Sequence, residues 1–225
     1  MKAVIKILCF TIVLAFLAVT KNFSQSSGEF EGKITIKLVD DGETNFMDYL
    51  VKGDKFRMEM KDEESGNEVA MIMDMKELKM ITLMPDQKMY MEYPLKKEME
   101  KHKAEMKEEM EKVRVTDEKK EINGFDCTKI ISVEDGNNVE AWVTKDLGNF
   151  MFFEGPMGGG DMPDWYSEFS DAGFFPILVI EKDDDGEEES RWEVTSAEKK
   201  SLSDDLFVPP AGYEKMEIPM MDFLK

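Results

Sequence analysis

Lys55-Phe56-Arg57-Met58-Glu59-Met60 is followed, after a polar break at residues 62–67, by Val69-Ala70-Met71-Ile72-Met73-Asp74-Met75. In both runs a large apolar side chain returns at every second residue. A period of two is that of a β-strand, whose alternate residues share one face. The polar break has the composition of a turn. The pair therefore predicts two antiparallel strands, with Phe56, Met58 and Met60 on one face and Val69, Met71, Met73 and Met75 beside them.

Outward from this pair the same pattern repeats. Phe30, Ile34, Ile36 and Leu38 alternate with polar neighbours up to Asp40-Asp41-Gly42, and residues 44–51 return to the turn Lys52-Gly53-Asp54. Residues 78–84 and 88–93 form another pair around Pro85-Asp86-Gln87, which makes six meander-like strands. The period then changes. Leu95, Met99, His102, Met106, Met110 and Val113 step by three or four residues, so a helix is predicted over 95–113, opened by Pro94. Strands resume at 114–122. Asn123-Gly124 is a hairpin signal because both central positions of that turn require positive φ. Further strands are expected at 125–133, 139–144, 174–182 and 188–197, giving eleven. So many antiparallel strands do not stay flat, and the predicted fold is a curved, unclosed half-barrel. Residues 146–173 lose periodicity and read as a long apolar loop, of the kind that often serves as a lid.

The first 25 residues stand apart. Lys2 and Lys6 precede an apolar run at 7–19 and a polar stretch, the layout of a secretory signal peptide. The run is shorter than the ~20 residues needed to span a bilayer. A single domain over 26–225 is expected to remain, secreted or periplasmic, without stable membrane insertion. The chain carries 29 basic and 49 acidic residues, for a formal net charge of −20. Loss of Lys2, Lys6 and Lys21 with the leader deepens this to −23. Such a surface repels nucleic acid and anionic lipid headgroups. Cys9 lies within the leader, so Cys127 is left alone and no internal disulfide is expected.

Several of these segments resemble a known family. Lys52-Gly53-Asp54-Lys55-Phe56-Arg57, Pro85-Asp86-Gln87-Lys88-Met89-Tyr90, Ile122-Asn123-Gly124-Phe125-Asp126-Cys127, Trp142-Val143-Thr144, Gly173-Phe174-Phe175-Pro176 and Phe207-Val208-Pro209-Pro210-Ala211-Gly212-Tyr213 occur in order along the chain. In this they are similar to the bacterial domain of unknown function 4412 (DUF4412). The resemblance implies an envelope protein with a LolA-like architecture, an open antiparallel barrel whose concave face is covered by helices and holds acyl chains. It supplies no catalytic residues. The Gly- and Met-rich stretch 151–162 departs from it by looking longer than such a fold needs.

Twenty methionines are the main compositional oddity. Three readings are open for the sets Met58 and Met60; Met71, Met73 and Met75; and Met89 and Met91. They fill an ordinary core; or, being unbranched and polarisable, they form a deformable lining for a hydrophobic ligand; or their thioethers capture Cu(I). One histidine and one remaining cysteine count against the last. Phe152, Phe153 and Trp165, with Phe150, Tyr166, Phe169, Phe174 and Phe175, crowd the irregular loop and read either as self-packing or as a flap over an apolar cavity.

Catalysis has little to stand on. His102 belongs to the helical stripe, Cys127 reads as a buried structural thiol, and together they are too few for a zinc site. The acidic run 183–189 lacks the ligand spacing of an EF-hand loop and reads as a solvated hairpin tip. The sequence thus predicts an all-β domain with one long helix, helix and loop lying over the concave face of about eleven strands. The expected function is non-enzymatic, cofactor-free binding of a lipid, an acyl chain or another apolar ligand in the cell envelope. The alternative is a structural or protein-interaction module with a filled core.

Overall fold

The computed structural model describes residues 30–40, 42–61, 68–96, 113–132, 139–148, 150, 174–183 and 185–217. The expected leader, most of the loop at 146–173 and residues 97–112 of the expected helix lie outside them.

The described residues form one open sheet of twelve strands. In chain order these are β1 (Gly32–Asp40), β2 (Glu43–Lys52), β3 (Lys55–Lys61), β4 (Glu68–Asp74), β5 (Lys79–Met84), β6 (Met89–Pro94), β7 (Val113–Ile122), β8 (Phe125–Ser132), β9 (Glu140–Thr144), β10 (Phe175–Lys182), β11 (Glu188–Lys199) and β12 (Glu214–Lys215). Across the sheet the order is β12-β6-β5-β4-β3-β2-β1-β11-β10-β9-β8-β7. Two meanders are therefore joined where β1 meets β11. At that seam the backbones lie close, and a Cβ on Gly32 would stand 2.0 Å from the carbonyl oxygen of Glu198.

Two expectations are corrected. Among the described residues no helix reaches seven residues, and the all-β sheet has twelve strands rather than eleven. Pro94, expected to open the helix, ends β6 opposite Lys79. Leu95 donates its N–H to the Leu78 carbonyl at 2.8 Å. Val113, expected to close the helix, opens β7. The stripe's two ends are thus also strand-compatible: Pro94 stands last in its strand, and Val113 begins a stretch that continues with the β-branched Val115 and Thr116. The extra strand, β12, is two exposed residues that pair parallel with Met89 and Tyr90, too short to leave a periodic signal.

The Asn123-Gly124 turn has φ of 51° and 85°, as a two-residue hairpin of this kind requires. Its tip shows that the sheet curls. Asn123 Nδ2 donates to the Val194 carbonyl of β11 at 2.6 Å. In a flat sheet β8 and β11 would lie about 14 Å apart, a gap no Asn side chain spans.

Within the first meander, β4 and β5 are buried on both faces. On the outer side Leu50, Ala70, Ile72, Ile81 and Leu83 pack with Leu202 and Phe207 of the segment after β11. Polar contacts fix that segment in place: Lys52 Nζ donates to Leu202 O at 2.7 Å, Arg57 Nη1 to Leu206 O at 2.8 Å, and the Leu202 N–H to Glu31 Oε1 at 2.8 Å. The segment ends as β12 on the edge of β6, where Glu214 N donates to Lys88 O and Met216 N to Tyr90 O.

Candidate hydrophobic-ligand face

The inner face of the first meander is made of cross-strand rows. One row runs Tyr49, Met58, Met71, Thr82, Met91 across β2 to β6. A second runs Val51, Phe56, Met73, Met80, Tyr93 through the same pairings. A third holds Met47, Met60 and Val69. Registers from β1 through β6 carry no shift, so the alternation read from the sequence maps directly onto one face.

Of the residues singled out in the sequence, Met58, Met71, Met73 and Met91 are buried, and Met60 and Met75 pack half-buried against the main core. Met75 is displaced from its expected strand. β4 ends at Asp74, whose carboxylate accepts from the N–H groups of Lys76 and Glu77, and Met75 enters the turn with its N–H on Asp54 O at 2.9 Å. Met89 pairs with Met84 at the far end of β5 and β6 and is half-buried. Phe152, Phe153 and Trp165 lie outside the described residues, as does His102.

Met47 and Met80, which the sequence does not single out, join the same core. Both stand at alternate positions of strands whose pattern is plain in the sequence. Thr82 is also inconspicuous there, interrupting the alternation Met80, Thr82, Met84 with a hydroxyl. Thr82 is only 4% exposed, and among the described residues its Oγ1 is the buried side-chain polar atom with no hydrogen-bond partner. Beside it, Tyr93 Oη donates to Met91 Sδ at 3.2 Å. Sulfur is a weak acceptor, and burial raises the Tyr93 phenol above its usual range.

Aromatic rings close the floor between the two meanders. Phe150 lies 5.2 Å from Tyr49, 5.3 Å from Phe175 and 4.9 Å from Trp192, ring centre to ring centre. Tilted and edge-on contacts of this kind add to area burial. Two members of the expected aromatic crowd, Phe150 and Phe175, are thus core residues. Phe174 is half-buried, with Lys145 Nζ 4.9 Å above its ring.

Other groups bear on chemistry. Cys127 is buried, its thiol set against the Phe125 carbonyl at 3.4 Å, and desolvation pushes it up to about 11. That is the wrong direction for a nucleophilic thiolate. In the acidic run, Asp183 Oδ1 accepts from the N–H groups of Asp185 and Glu187, which uses the carboxylate to hold the hairpin tip. Among the described residues no group of three or more His, Cys, Asp or Glu side chains is placed to hold a metal ion. No helix there is long and apolar enough to cross a membrane.

Residues 30–213 match the model of the family described as Domain of unknown function (DUF4412). The chain belongs to that family. No curated protein sequence matches it. Among solved structures, an uncharacterized conserved protein from Thermus thermophilus is similar at a TM-score of 0.51 and 10% identity, covering 84% of this chain and 90% of that one. Structural neighbours also include MucB from the MucA/MucB complex of Pseudomonas aeruginosa (TM-score 0.44, 10% identity, 80% of this chain, 56% of that one). A domain from Vibrio parahaemolyticus described as a putative outer membrane lipoprotein-sorting protein domain has a TM-score of 0.34 and 9% identity, with 80% and 90% covered. At such identities the likeness concerns the fold alone.

Proposed function

We propose that this DUF4412 protein binds an apolar ligand, a lipid or an acyl chain, on the inner face of its open sheet, and that it does so in the cell envelope without catalysing a reaction. One observation carries this reading. The central strands β4 and β5 of the first meander are buried on both faces, yet methionine is confined to one of them. The inner core holds Met47, Met58, Met71, Met73 and Met80, whereas the outer core is built from Leu, Ile, Ala and Phe. Had methionine served only as general filler, both cores of one sheet would be expected to use it. An unbranched thioether instead suits a wall that must accept chains of differing shape. The envelope location rests on the signal-like residues 1–25.

A second reading has its own observation. Met58, Met71 and Met73 are closed off from solvent, as in a core that is simply full. The two readings separate on replacing Met58, Met71 and Met73 together by Leu, a near volume-conserving change that costs less than about 1.5 kcal/mol per site. If the face adapts to ligands, the folded triple variant takes up a narrower range of fluorescent acyl-chain lengths than the parent. Equal uptake across all lengths would count for the filled core.

A further inference from the structure

The inner face of β3–β6 is an almost uniformly apolar wall. By alternation its side chains are Phe56, the methionines already named, Val69, Thr82 and Tyr93, with no carboxylate, ammonium or guanidinium among them. Within this wall polarity is confined to one corner. Thr82 stands directly opposite Met91 on the neighbouring strand, and the Tyr93 hydroxyl rests on the Met91 sulfur. Among the described residues Thr82 Oγ1 has no partner, although its residue is more than nine-tenths buried.

A buried hydroxyl without a hydrogen bond is a standing cost, and valine would fill nearly the same volume without it. We propose that Thr82 is the anchor for the carbonyl oxygen of an acyl ester whose hydrocarbon chain lies along the methionine rows. The inference rests on the hydrophobic-ligand reading and narrows it to a ligand class. The hydroxyl donates to the ester carbonyl. Tyr93, already turned toward this corner, exchanges a weak sulfur acceptor for a ligand oxygen when one is present. An ester fits better than a free fatty acid because a carboxylate placed here would be desolvated with no counter-charge on the wall. A plain hydrocarbon would leave Thr82 unpartnered.

The test is displacement of a fluorescent apolar dye from the full chain by methyl hexadecanoate, by an alkane of matched length, and by hexadecanoate at pH 9. The wild-type protein is expected to prefer the ester over both competitors. Thr82→Val should lower ester affinity roughly three- to tenfold, the range of one neutral hydrogen bond, leave the alkane unchanged and raise Tm. Thr82→Ser should retain the preference. An ester-to-alkane ratio unchanged in Thr82→Val would overturn the anchor while leaving the carrier reading intact. Hexadecanoate bound more tightly than its ester would overturn the ester assignment. Failure of every probe to displace the dye would remove both readings at once.

Discussion

Cys127 shows how one residue's setting decides its chemistry. It follows the Asn123-Gly124 turn by three positions, where a thiol on an exposed hairpin would be open to oxidation. The structure instead buries it. Desolvation raises the thiol from 9.0 to about 11, Asp126 and Asp146 push the same way, and Lys120 opposes them. At pH 8 the thiolate population is then about a hundredfold below that of a free cysteine. Native protein should therefore resist thiol-specific labelling at pH 8 and label fully once unfolded in urea; native labelling at the free-thiol rate would contradict the burial. The sign for stability follows. The folded state holds its proton more tightly, so the contribution of Cys127 is complete below pH 9 and is lost as pH rises toward 11.

Among the elements, the segment after β11 covers the outer side of the first meander. Phe207 and Leu202 pack with Leu50, Ile72, Ile81 and Leu83, and without them the outer face of β4 and β5 would meet water. Phe207→Ala is expected to cost about 3–5 kcal/mol, seen as a lower urea midpoint, while apolar-dye uptake on the opposite face is unchanged in protein that remains folded. Loss of uptake in the folded variant would show that the two faces are not independent. The same segment marks the limit of what the sequence conveys. Most of β1–β11 are legible from alternating residues between turn signals. β7, charged from Asp117 to Glu121, is legible only from the Asn123-Gly124 turn after it. Met58, Met71 and Met73 fall on one face because no register shift intervenes. β12 is legible from nothing, since two exposed residues have no period. At the two ends of the stripe at 95–113, a three-to-four spacing of apolar residues says nothing about Pro94 completing β6 or Val113 beginning β7. Thr82 escapes notice for a different reason: threonine is ordinary in strands, and only the structure gives its depth and its unpaired oxygen.

At the scale of the whole molecule, the two buried layers divide the work. The outer layer is branched and aromatic, held to the strands by Lys52 and Arg57, whose side chains donate to the Leu202 and Leu206 carbonyls. The inner layer is thioether-rich and meets the second meander through Tyr49, Phe150, Phe175 and Trp192. Because the sheet is open, no closed ring of strands fixes the width of the inner space. The formal charge of −20 opposes self-association. On the proposed reading, the inner face is occupied in the cell. Native mass spectrometry of the protein purified from an envelope fraction, followed by solvent extraction and lipid analysis, tests it most directly. A stoichiometric adduct of acyl-chain mass, released on extraction and identified as an ester, is expected. A clean protein mass, with no uptake of added acyl probes, would contradict the reading and leave the methionines as the filling of a closed core.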